Sequence, residues 1–385
     1  MRIANVGVVT LGTLTLAACA DREVAAPTFQ STGSLSAAAA ASAQPGVVYT
    51  LNNSPTGNAV LTFDRAADGT LAAAGAFPTG GLGSGGGLSS QGALVLSADG
   101  RFLVAVDAGS NEVSVLRVRP GGLDLVATVP SGGDQPTSVT VHGDLVYVLN
   151  AGGSGNIAGF RFGRGGALTP IPGSTRTLST GGSAPAQVEF SPDGRVLVVT
   201  ERATNAISTY LVGPDGRAAG PVVNASAGAT PFGFSFDQRG RLFVSEAFGG
   251  AADASASSSY RLNRDGTLTL LSGSVGTTET AACWLIVTNS GRFAYVTNTG
   301  SGTVSGYAIA ADGSLTLLDA DGRTGVIGAG SGPIDAAFDV ASRFLYTLNA
   351  GTGSISAFAV LADGSLEPLA GATGLPAGAA GLAAR

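Results

Sequence analysis

Seven copies of one unit run through this chain, and no other feature limits its fold as much. The copies are Val47 to Leu71, Ser97 to Leu123, Val141 to Leu168, Ser191 to Arg217, Asp237 to Leu268, Thr288 to Leu315 and Asp339 to Leu366. Their hairpin glycines, Gly69, Gly122, Gly166, Gly216, Gly266, Gly313 and Gly364, lie 53, 44, 50, 50, 47 and 51 residues apart. Within a copy, Arg292-Phe-Ala-Tyr-Val-Thr-Asn298 and Val304-Ser-Gly-Tyr-Ala-Ile309 are short runs of β-formers, and Asp312-Gly313 is a pair that a tight hairpin favours. A further apolar segment precedes each such pair, usually opened by proline: Pro136 to Val141, Pro185 to Phe190, Pro231 to Phe236 and Pro333 to Phe338, with Ala282 to Val287 as the version without it. Four strands in about 49 residues describe a propeller blade. Tandem sandwiches need about 100 residues each, and helical repeats need a 3.6-residue period that is absent.

The fold class is therefore all-β, a seven-bladed β-propeller of four-stranded blades. The first copy begins at its second strand, Val47 to Leu51, with no inner strand before it. Pro376 to Leu382 resembles the Pro-led inner strands and has no copy after it, so it is expected to complete the first blade and close the ring. Closure removes the unpaired edges of an open sheet.

Three segments follow. Residues 1–19 read as a signal peptide with a lipobox: Met1-Arg2, an apolar run from Val6 to Ala18 too short to span a bilayer, and Leu16-Ala17-Ala18-Cys19. Cys19 is the expected lipidation site, with ordinary cleavage after Ala20 as the alternative. Residues 20–45 read as a flexible Ala/Ser linker and residues 46–385 as the propeller. The protein is expected to be exported to the periplasm or cell surface and held at the membrane only through its lipid.

Composition narrows the chemistry. All 20 basic residues are arginine, which excludes Schiff-base catalysis and a lysine-bearing phosphate loop. A net charge of −6 lacks the footprint of a nucleic-acid binder. One histidine and two cysteines cannot assemble a zinc site. The lone His142 is expected on the face away from the candidate site. Gly80 to Gly87 is glycine-rich without lysine or a following helix, and reads as a flexible loop between blades.

The residue after each second strand forms a ring at one end of the central channel: Asn52, Asp107, Asn150, Glu201, Glu246, Asn298 and Asn349. Asn and Asp open glycine-rich turns through bonds to their own backbone, a role that suits Glu less well. Glu201 and Glu246 in adjacent blades, with Asp107, are thus the candidate catalytic acids. Asn52, Asn150, Gln187, Asn298, Asp335 and Asn349 are candidate ligand-binding residues. Two carboxylates close together raise one pKa and supply acid–base chemistry without histidine. The insertion within residues 249–259 is expected to form a loop beside them. No cofactor is expected, although a ring of oxygen ligands suits a hard cation such as Ca²⁺.

Ser191-Pro-Asp-Gly-Arg195, Tyr295-Val-Thr-Asn298 and Asp-Gly-Ser-Leu at 312–315 and 363–366 resemble the lactonase-type seven-bladed propellers. That family includes a 6-phosphogluconolactonase and a carboxymuconate lactonizing enzyme, and grades into surface proteins with a Tyr-Val-Thr-Asn repeat. The resemblance implies hydrolysis or cyclisation of a small lactone at the channel mouth. Where the family carries Gly-Pro-Arg-His, this chain has Ala184-Pro185-Ala186-Gln187; where the family has Asn-Glu, it has Glu201-Arg202; and Glu246-Ala247-Phe248 stands where the family has Asn-Arg-Gly. The alternative is a non-catalytic envelope propeller that binds a protein, a glycan or a small ligand. A monomer is expected in either case.

Overall fold

The sixth blade shows why this repeat folds as it does. Its second strand, Phe293–Asn298, is buried along its whole length, because a blade is packed on both faces by its neighbours and alternation of polar and apolar residues is unnecessary there. The outer hairpin turns at Gly313, whose φ of +96° suits glycine. Asp312 Oδ1 accepts the Ser314 N–H at 3.0 Å and the Ser314 hydroxyl at 2.8 Å. Tyr295 then reaches across the blade boundary and donates its hydroxyl to Gly364 O at 2.7 Å. Tyr147 does the same to Gly216 O, and Tyr346 to Gly69 O. A Cβ on Gly364 would lie 2.6 Å from the Phe293 ring, and one on Gly69 would lie 2.4 Å from Phe344. The tyrosine and the hairpin glycine of the repeat are thus two halves of one contact between blades.

The computed structural model describes residues 45–385. The expected signal peptide with Cys19, and the expected linker up to residue 44, lie outside the described residues. Seven antiparallel sheets are present, six of them built from consecutive strands. The seventh joins the chain ends: Ala380–Ala384 pairs with Gly46–Leu51, followed outward by Ala59–Arg65 and Leu71–Pro78. Val48 faces Ala384 and Thr50 faces Leu382. Val47 and Arg385 exchange backbone hydrogen bonds at 3.2 and 3.0 Å. The closing strand starts at Ala380 rather than Pro376, because the Ala379 N–H bonds to Pro376 O and Gly378 turns at a φ of +86°.

Three local departures matter for the site. The inner strand of the second blade is only Leu94–Leu96. The fourth strand is broken in the third blade (Leu168–Pro170, Arg176–Thr177) and in the sixth (Leu315–Leu317, Gly325–Val326). In the fifth blade the insertion is shorter than its sequence suggests, since strand Ala256–Leu262 takes up Ser257, Ser258 and Ser259, all fully buried. The Ser259 hydroxyl donates to Gly313 O, and Ser258 has a partner described below. Only residues 247–255 leave the blade. His142 ends strand Pro136–His142 and lies where a Cβ on Gly194 would sit, in the turns of the opposite face.

Candidate functional site

The ring read from the sequence is a set of braces inside the blades. Glu201 is fully buried and accepts the Ser179 N–H at 3.1 Å, the Ser179 hydroxyl and the Ser208 hydroxyl. Glu246, equally buried, accepts the Gly228 N–H at 2.8 Å and the hydroxyls of Ser258 and Ser274. Asp107 takes the Asn58 amide at 2.8 Å and the hydroxyls of Thr79 and Ser114. Burial raises the Asp107 pKa against the pull of those three bonds. Asn298 and Asn349 donate to hydroxyls of their own third strands, Ser305 and Ser356 among them. Asn150 bonds to Asn156, and Asn52 accepts the N–H groups of Ser54 and Ala59. Glu201 and Glu246 are each held by a separate set of partners from the third strand and from the segment before the inner strand, with Ser274 of the fourth strand added for Glu246. A signal for the brace exists in the sequence: a serine stands seven residues after Asp107, Glu201, Asn298 and Asn349. In the fifth blade the insertion moves that partner to Ser258.

One residue further along, the chain has left the second strand in every blade. These positions are Asn53, Ala108, Ala151, Arg202, Ala247, Thr299 and Ala350. In five of them the backbone N–H bonds to the residue before an inner strand, as Arg202 does to Ala184 O at 3.2 Å and Ala350 to Gly332 O at 3.0 Å. Ala247 and Ala350 pack with Ala186, Phe232, Trp284 and Ile334 in one apolar cluster. The last four sit at backbone bulges where the inner strands begin. The Phe232 and Trp284 rings lie 5.0 Å apart and are essentially unexposed.

Beside these rings the chain itself crosses between the inner strands. Ser90-Gln91-Gly92, which the sequence leaves in a linker, bonds to the inner strands of three other blades. The Ser90 hydroxyl donates to Thr137 O, and the Trp284 indole donates to Ser90 O at 2.9 Å. The Gln91 N–H bonds to Ala186 O. Its side-chain amide donates to Leu285 O at 3.0 Å and accepts the Leu285 N–H at 3.1 Å. Gly233 supplies the room, since a Cβ there would lie 2.2 Å from Gln91 Oε1. The preceding Gly80–Gly87 stretch is also tied down: Asn53 Nδ2 donates to Gly86 O, and the N–H of Gly85 bonds to Asn53 O. The flexible loop expected there is a strap.

Four further charged or polar side chains belong to the inner strands or to the turns beside them. Gln187 clamps two inner strands, its amide donating to Phe234 O and accepting the Phe234 N–H. Asp335 holds the equivalent position in the seventh blade; it is 1% exposed, and burial raises its pKa well above the ordinary value. Its Oδ1 accepts the Ala336 N–H, and its Oδ2 has no partner. Glu189, two residues beyond Gln187 on the same inner strand, is half-buried. Burial pushes its pKa up to about 8 against the pull of the Gln187 amide. Arg202 is the one charged residue of the seven positions that follow the ring; its guanidinium lies over the Phe232 ring, 4.9 Å from the centroid. The sequence reading passed over both Arg202 and Glu189. Among the described residues, no group of three or more His, Cys, Asp or Glu side chains comes together as a metal site.

A family model described as "Lactonase, 7-bladed beta-propeller" matches residues 40–177 and 158–247, together more than half of the chain. The chain belongs to this lactonase family. The same fold appears in solved structures that share little sequence with it. A protein from Lactobacillus plantarum superposes with a TM-score of 0.72 at 21% identity, covering 89% of this chain and 99% of that one. The periplasmic gluconolactonase of Pseudomonas aeruginosa gives 0.70 at 19%, covering 88% and 99%. A putative 6-phosphogluconolactonase from Bacteroides fragilis gives 0.67 at 18%, covering 88% and 98%. No curated protein matches the chain. At these identities the likeness carries the lactonase-family fold and not an activity.

Proposed function

We propose that this chain is an exported, lipid-anchored lactonase-family propeller that binds a small molecule at the channel mouth, above the floor of Phe232 and Trp284, without acid–base catalysis by Glu201, Glu246 or Asp107. The observation that carries this reading is the state of those acids: each carboxylate is unexposed and already takes three hydrogen bonds. Hydrogen bonds to a charged group are worth about 1.5–3 kcal/mol each, so freeing one carboxylate for a substrate costs several kcal/mol before chemistry begins. General acid–base catalysis contributes about 10²–10⁴-fold, or roughly 3–5 kcal/mol, and does not clearly repay that cost. Family membership makes lactone hydrolysis the competing reading, and one carboxyl favours it. Glu189 is half-buried and poised near neutral pH.

The test is hydrolysis of gluconolactone and 6-phosphogluconolactone by the purified protein, with Glu201→Gln, Glu246→Gln and Glu189→Gln beside the wild type. No turnover above the spontaneous rate is expected. Turnover that either of the first two variants abolishes while the fold is kept overturns the binding reading. Turnover with an inflection near pH 8 that Glu189→Gln removes moves the site to Glu189.

A further inference from the structure

Arg202 breaks a pattern. At the equivalent positions of the other six blades stand four alanines, one asparagine and one threonine, none charged. Its Nε donates to Ala184 O at 3.1 Å, and the guanidinium pairs with no carboxylate among the described residues. Neighbouring Glu201 is no counter-ion, because its oxygens are held inside the blade by Ser179 and Ser208. Burial alone pulls the Arg202 pKa down to about 10. Arg241, withdrawn to 9% exposure, is built differently, since it pairs with Asp237 at 2.6 Å.

Withdrawing a cation from water without a partner is unfavourable unless something else compensates. The Phe232 face offers part of that compensation, roughly 0.5–2 kcal/mol. A guanidinium laid flat on a ring and tethered through Nε still has both Nη groups in its plane to donate to two acceptor oxygens, the fork that matches carboxylate and phosphate.

We propose that Arg202 is an oxyanion-recognition residue, and that the ligand of the mouth carries a carboxylate or phosphate group which the guanidinium grips in a bidentate pair. This rests on the reading of the mouth as a binding site and names the ligand class. The apolar floor beneath excludes water and strengthens the pair.

Trp284, the only tryptophan of the chain, touches Phe232 on the floor and so reports on this site. The experiment is titration of tryptophan fluorescence with gluconate, glucose 6-phosphate and glucose at constant ionic strength, in the wild type, Arg202→Lys and Arg202→Met. Circular dichroism and Tm verify that each variant is folded. Saturable changes are expected with one or both anions and none with glucose; which anion responds tells carboxylate from phosphate. Arg202→Met should weaken binding about tenfold or more, with Arg202→Lys in between. A response to glucose that survives in Arg202→Met overturns the anion assignment and leaves the mouth site standing. Silence with all three probes overturns both.

Discussion

Asp335 does with a carboxyl what Gln187 and Gln91 do with carboxamides. Each faces the backbone of a neighbouring inner strand, and the Leu382 N–H of the closing strand donates to the Asp335 carboxyl. A carboxamide offers both a donor and an acceptor; a carboxylate offers acceptors alone. Burial therefore favours the neutral form of Asp335. Its folded pKa lies above its unfolded one, so its contribution to stability is complete below the unfolded value near pH 4 and is lost as pH rises toward the folded value. Asp335→Asn should be neutral near pH 4 and should gain on the wild type by about 1.4 kcal/mol per pH unit above it, up to the folded pKa. Denaturant unfolding of both proteins from pH 4 to 8 measures this, and a variant less stable at every pH would show that the clamp is misread.

At the scale of an element, the closing strand and the strap both join blades that are far apart in sequence. Ala380–Ala384 is held by its ladder to Gly46–Leu51 and by the Thr50 hydroxyl on Gly381 O at 2.7 Å. Arg65 adds a further grip by donating to Arg385 O. Removing residues 380–385 leaves the inner edge of the first blade unpaired, an invitation to intermolecular pairing. The truncated chain should unfold at a lower temperature and elute as oligomers in size-exclusion chromatography. A monomer with unchanged Tm would mean that the ring does not depend on this strand. The strap was not legible from the sequence because nothing in Ser90-Gln91-Gly92 marks it. Its partners lie 47 to 194 residues away, and Gly233 reads as an ordinary strand glycine until the Gln91 side chain is seen beside it.

For the whole molecule, the export proposal rests on the sequence of residues 1–20, outside the described ones. Cys19→Ser should shift the protein from the membrane to the soluble periplasmic fraction and abolish labelling with a radioactive fatty acid. An unchanged distribution, with a mature chain starting at Asp21, would assign cleavage to the ordinary signal peptidase.

What the sequence determined by itself is what repeats: seven blades, four strands in each, the hairpin glycines, and a first blade completed from the C-terminus. Repetition makes these legible, since every copy meets the same neighbours and faces the same sterics. The tertiary structure alone decided which way single side chains point. Glu201 ends its strand with its carboxylate held by Ser179 and Ser208, whereas Arg202, one position further, opens the turn and lays its guanidinium over Phe232. It also decided that a linker crosses between the inner strands. Contacts that bring residues 90, 186 and 285 together exist only once the ring has closed.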